Sequence, residues 1–205
     1  GNVVYADDLV KEFGVDGVRY YFLHEIPFAS DGVFTRELLI ERINADLVNI
    51  LGNLVNRTIS MDKKYFDGRV MEHNAHEDID DELINSVLSL KENVTAKMDE
   101  LKVGEALQEI IDVLRKCNKY IDDTMPWALA KEEDKKDRLA TVLYNLLESI
   151  RICAVYLNPF LTDTSNKIFE QLNTNLTSFE STFEFGGLEV GTILSDPVHL
   201  FDRIE

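Results

Sequence analysis

Four prolines, ten glycines, two cysteines and a single tryptophan are few for 205 residues. So little turn chemistry excludes an all-β sandwich or barrel, which needs turn residues about every 8–12 positions. Cys117 and Cys153 lie far apart inside helix-like patterns, and read as buried free thiols of a reducing cytoplasm rather than a disulfide. No apolar run approaches the roughly 20 residues needed to span a bilayer. The opening Gly1-Asn2-Val3-Val4-Tyr5 lacks the basic-then-apolar pattern of a signal peptide. It also lacks an initiating Met, and is expected to be a trimmed end of a longer protein.

Basic charge is scarce as well. Twenty-one Lys and Arg face 38 Asp and Glu, for a formal net charge of −17. Phosphate binding is driven by Lys and Arg, so this surface excludes loose nucleic-acid binding. Any RNA contact must be local and dominated by bases.

Catalytic patterns are missing too. There is no Walker loop, no GxGxxG and no GxSxG. His73-Asn74-Ala75-His76 sits in a polar stretch without cysteines and reads as a loop, not a zinc site. His24 and His199 are isolated, with surface or partly packed roles expected. The run Glu77-Asp78-Asp80-Asp81-Glu82 suits the positive end of a helix and lacks calcium-loop spacing. Glu132-Glu133-Asp134 serves similarly. No catalytic residue and no metal site is expected in this chain.

What is present is helical periodicity. Asp7–Gly14 reads as a short helix, and Val15–Leu23 as a second with Asp16 as N-cap; Pro27 stops it before a turn at 29–32. Thr35 caps a long helix, with Leu38 where a capping box prefers Glu. Its buried stripe is Ile40, Ile43, Leu47, Ile50, Leu51, Leu54 and Met61. Further helices are expected at about 80–100, 103–122, 132–157 and 160–172, with a break at Thr124–Leu129. Residues 69–79 read as a loop and 173–205 as an extended tail along the bundle. The fold class is all-α: a bundle of about five helices behind a small N-terminal segment.

Several strings resemble one family. Gly1-Asn2-Val3-Val4 is similar to the residues that follow the lysine-rich signature loop of class I aminoacyl-tRNA synthetases. Gly14-Val15-Asp16-Gly17-Val18-Arg19-Tyr20-Tyr21 with Glu25-Ile26-Pro27-Phe28 resembles the stem-contact segment of methionyl-tRNA synthetases. Arg42 to Asn49, running into Leu51-Gly52-Asn53-Leu54-Val55-Asn56-Arg57, resembles the first long helix of their anticodon domain, and Pro126-Trp127-Ala128-Leu129-Ala130-Lys131 its second signature. Tyr5-Ala6 and Gly17 depart from the family pattern within the stem-contact segment.

The resemblance implies a stem-contact segment at 1–34 and a helical anticodon-binding domain at 35–205. It implies that Asn49, Asn53 and Arg57, with Pro126 and Trp127, read the CAU anticodon of methionine tRNA, and that Arg19 contacts the stem. It implies no cofactor here, ATP and magnesium belonging to a catalytic domain of the same parent chain. Cytoplasmic location is expected, with neither membrane nor DNA as partner.

The residue chemistry is compatible. Asn49, Asn53 and Arg57, spaced i, i+4 and i+8, share one side of a helix. Amides both donate and accept, and Arg presents a rigid donor fork. Trp127, behind a proline that stiffens its turn, can stack a base. From residues alone, a polar helix face and an interhelix plug remain open, as does a scaffold bundle that touches no RNA. Another class I anticodon domain (cysteinyl, leucyl, isoleucyl or valyl) is disfavoured by Asn53-x-x-x-Arg57 together with Pro126-Trp127.

Overall fold

The computed structural model describes residues 6–25 and 34–205. The Gly1–Tyr5 opening, the Pro27 stop and the 29–32 turn lie outside them. The described residues are helical with one isolated antiparallel bridge, Arg69 to Ile193, so the all-α expectation holds. Helices α1 (Ala6–Phe13) and α2 (Val15–Glu25) precede α3 (Arg36–Arg42), which runs through a ten-residue π-helical segment (Ile43–Gly52) into α4 (Asn53–Phe66). There follow α5 (Asp78–Leu88), α6 (Leu90–Asp99), α7 (Val103–Thr124), the single turn α8 (Pro126–Leu129), α9 (Lys136–Leu157) and α10 (Thr162–Leu172).

Helix α9 is the axis. Every residue from Arg138 to Leu157 is buried, and α4, α5, α7, α8 and α10 all pack on it. Together with the turn before it (Glu133–Lys135), it is long and apolar enough by composition to cross a membrane, yet its apolar window is buried inside the bundle while residues 133–137 are exposed. Both cysteines are free and buried, and burial pushes the Cys117 thiol up to about 12.

Some expected boundaries move. Thr35 caps α3 as expected, its hydroxyl accepting from the Leu38 N–H at 3.1 Å. Asp16, expected to cap α2, instead lies inside its first turn and is buried; its carboxylate accepts from the Thr164 N–H at 2.7 Å and hydroxyl at 2.6 Å, tying α2 to the start of α10. The expected 80–100 helix breaks at Ser89, whose hydroxyl donates back to the Ser86 carbonyl at 2.6 Å. The acidic run does start a helix, through a Glu77–Asp80 capping box. His24 is buried rather than at the surface, with Nε2 2.6 Å from the Gln108 side-chain oxygen. His73 stacks on Tyr144 at 3.6 Å while His76 meets Asp81 at 3.0 Å, and no metal-binding group occurs among the described residues.

The tail is strapped down as expected. Buried Glu148 accepts from the Gly186 and Gly187 N–H groups, while its ion-pair partner Arg151 donates to the Leu176 and Ser181 carbonyls.

Candidate nucleic-acid interface

The site begins with how the long helix is wound. Ile43, Leu47 and Leu51 are all fully buried and recur every four residues. On an ordinary α-helix such a stripe drifts about 40° per step. The wider π turn reverses that drift, and all three stay on the buried side. Gly52 permits it: a Cβ there would lie 3.0 Å from the Leu47 carbonyl oxygen, five residues back. π segments often mark functional positions.

A buried charge cluster braces this segment. Asp46, 1% exposed, accepts from the Tyr20 hydroxyl at 2.5 Å and lies 3.5 Å from Arg42 and 3.8 Å from Arg115. Burial, then the Asp46 charge, pushes the Tyr20 phenol far above its usual range. Arg42 also reaches Glu25 at 2.6 Å. Residues of α2, the π segment and α7 are thereby locked together.

Asn49, Asn53 and Arg57 are all exposed, while Leu47, Leu51, Leu54, Val55, Thr58 and Ile59 between them are buried. The shared polar side is therefore present, with one modification. Asn49 belongs to the π segment and Asn53 begins α4, so only Asn53 and Arg57 keep α-helical i, i+4 register. Arg57 has no ion pair or side-chain hydrogen bond among the described residues, which leaves its donor fork open. Asn49 does have a partner. Its Oδ1 accepts from Arg203 Nη2 at 2.5 Å.

The turn after α7 is formed by Met125 in the left-handed region (φ 51°). The proline that follows disfavours right-handed helix at Met125, so α7 must end there. Pro126 then starts α8 from a buried position, and the Ala130 N–H closes on its carbonyl at 2.9 Å. Trp127 is 39% exposed and enters no ring stack among the described residues. Pro126 thus holds the turn while Trp127 faces outward.

The two parts lie on neighbouring elements that run the same way. Asn118 on α7 donates to the Ile50 carbonyl at 3.3 Å, one turn beyond the Arg115–Asp46 pair, so α7 and the π segment run in the same direction. Followed equally far from that bond, the two elements reach Met125 and Arg57. No direct contact joins Trp127 to Asn53 or Arg57 among the described residues; α4 and α8 each pack on α9.

Arg19 is elsewhere. Its Nε donates to the Phe160 carbonyl at 2.9 Å, anchoring α2 to the turn before α10, and the residue remains exposed. Two features escaped the sequence pattern: the π segment, and Arg203, which is far from Asn49 in the chain but adjacent in space.

The described residues thus form an all-helical bundle that presents exposed amides, an open guanidinium and an outward indole. Comparison with known proteins supplies the class. Residues 1–59 match the family described as tRNA synthetases class I (M), and residues 70–205 match the anticodon binding domain of methionyl tRNA ligase. The chain belongs to the latter family. It is 52% identical to the methionine–tRNA ligases of Clostridium acetobutylicum and Clostridium perfringens over its whole length, and spans 32% of each. The crystal structure of Mycobacterium tuberculosis methionyl-tRNA synthetase in complex with methionyl-adenylate superposes with a TM-score of 0.93 at 37% identity, over 99% of this chain and 40% of that one.

Proposed function

We propose that this chain reads the CAU anticodon of methionine tRNA as part of a methionine–tRNA ligase of the cytoplasm. Residues 35–205 form the reader and residues 1–34 contact the tRNA stem, with Arg19 offering its outer amino groups to the backbone. The parent's catalytic domain, using ATP and magnesium, joins methionine to the tRNA. The observation that carries the reading is the exposure of Asn49, Asn53 and Arg57 between buried neighbours, together with the outward-facing Trp127.

The chemistry follows from the groups. Unpaired anticodon bases splay and stack, and their edges are read by amide and guanidinium hydrogen bonds. One base stacked on Trp127 contributes about 1–3 kcal/mol. A net charge of −17 repels RNA everywhere else, so base contacts decide which RNA stays, and few attractive phosphate contacts are left for salt to weaken.

The deciding experiment titrates a fluorescent CAU anticodon stem-loop, beside one with the first anticodon base changed, into the full-length protein. Selective binding that is lost in Trp127→Ala and in Arg57→Ala, with unfolding midpoints kept near the parent's, is the expected result. Equal binding of both loops overturns the reading.

A further inference from the structure

The last residues of the tail close over the π segment. The Ile204 N–H donates to Asn44 Oδ1 at 2.9 Å and the Ile204 carbonyl accepts from Asn44 Nδ2 at 2.8 Å, so one side-chain amide grips both backbone groups of one residue. This clamp fixes Arg203, the preceding residue, over the next turn. There its Nη2 lies 2.5 Å from Asn49 Oδ1.

That contact has a chemical consequence. A guanidinium only donates, so the Asn49 atom facing it must be the amide oxygen. An asparagine free in solvent shows a ligand either face of its amide, since a half-turn about its last bond exchanges oxygen and nitrogen. Arg203 removes that ambiguity. The oxygen is turned toward Arg203, and the NH2 group is presented on the other side of the exposed amide. We infer that Arg203 is a positioning residue that makes Asn49 a dedicated hydrogen-bond donor, selecting for acceptor atoms on the base edge or sugar in front of it. The inference rests on the proposed role of Asn49 in anticodon reading and adds to it a specificity device held by the far end of the chain.

The device explains why an exposed arginine is spent on an amide in a chain so poor in cations. It also explains the Asn44 clamp. Without a fixed Ile204 peptide, Arg203 would sample many rotamers, and an exposed contact of this kind would seldom be made.

The test is a double-mutant cycle on the full-length protein, read by stem-loop affinity rather than by aminoacylation. Arg203→Ala is expected to weaken the cognate CAU loop about tenfold, the worth of one charge-assisted hydrogen bond. It should also narrow the gap to a base-changed loop while leaving the unfolding midpoint in place. Arg203→Lys, which still donates to the amide oxygen, should restore most of the affinity. If Arg203 acts through Asn49, the double variant binds no more weakly than Asn49→Ala alone. An Arg203→Ala variant that binds and discriminates like the parent overturns the inference while leaving the anticodon reading intact. A loss that persists in the Asn49→Ala background, with a salt slope reduced by about 0.7, reveals a direct phosphate contact and also overturns it. Unchanged binding by Asn49→Ala removes the premise, and with it both claims about this residue.

Discussion

Arg138 on α9 holds the Asp80 carboxylate with two parallel bonds, Nη1 to Oδ2 at 2.7 Å and Nη2 to Oδ1 at 2.9 Å, in a setting where Asp80 has no exposed surface. The Tyr120 hydroxyl donates to the same carboxylate at 2.7 Å, and Asn145 donates to Tyr120 at 3.1 Å. An acidic residue expected merely to start a helix thus joins α5, α7 and α9. Replacing Asp80 with Ala removes the buried partner of Arg138, leaving it the exposed Glu77 carboxylate at 3.2 Å and the Ala75 carbonyl, and should cost about 3 kcal/mol, measured by urea unfolding.

The same pair has a pH signature. Burial alone would raise the Asp80 pKa, but the bonds from Arg138 and Tyr120 overcome it and hold the carboxyl below the usual range. A depressed folded pKa contributes stability that is fully present above the unfolded value, about 3.9, and is lost as pH falls through the folded one. Unfolding midpoints followed from pH 6 to pH 2.5 should therefore fall more steeply for the parent than for Asp80→Ala.

Asp62 has the opposite sign. It is 1% exposed on α4, its Oδ2 has no partner among the described residues, and burial raises its pKa to about 7, opposed only by neighbouring Lys63. The folded state prefers the neutral acid, so stability falls as pH rises from about 4 to about 7 and stays low above. Asp62→Asn removes an ionisation penalty of up to about 4 kcal/mol. Calorimetry should show the variant gaining stability over the parent at pH 8 by clearly more than at pH 5.

Much of this architecture was legible because it is local. Thr35 caps its helix from the neighbouring turn, and the buried stripes follow helical spacing on every long element. The Ser89 break was not legible, since Leu83, Val87, Leu90 and Val94 are all buried and keep a continuous stripe across it. Asp16 and Asp80 misled for a related reason: a carboxylate near a helix start has the same local pattern whether it caps or is buried against a distant partner. At the candidate site, the residue types and their exposure could be anticipated from a row of polar residues and a proline-stiffened tryptophan. Arg203 could not, because its neighbour Asn49 is set by folding of the tail and leaves no mark on sequence spacing.

Gly52 offers a test of the π segment. In an ordinary helix interior, Gly→Ala stabilises by about 1 kcal/mol. Here the added methyl would press on the Leu47 carbonyl oxygen at 3.0 Å, and backbone must move to admit it. Gly52→Ala is therefore expected to destabilise by about 1–2 kcal/mol. Because the shift falls between Asn49 and Asn53, stem-loop affinity should drop beyond what the loss of folded protein explains. A stabilised variant would show that the π turn does not depend on this glycine.

One buried ion pair holds the first part of the tail on the bundle. Glu148 accepts from Arg151 Nε at 2.5 Å and from the Gly186 N–H at 2.7 Å, and a Cβ on Gly187 would come 2.9 Å from Arg151 Nη2. Glu148→Ala leaves Arg151 charged and buried with its carbonyl partners alone, and should cost about 3–5 kcal/mol. The loss should be local first, because residues 176–187 meet α9 mainly through this pair and the Tyr156–Thr182 hydrogen bond, while α7 and α9 keep their own packing. Amide exchange should accelerate across 176–187 before it does in α9. The strap continues from these residues to Arg203, so a loosened tail should also weaken the Arg203–Asn49 contact, and Glu148→Ala should narrow anticodon discrimination although it lies far from that contact in sequence. Faster exchange in the tail with discrimination unchanged would mean that the later anchors, from Leu194 to the Asn44 clamp, hold Arg203 in place without it.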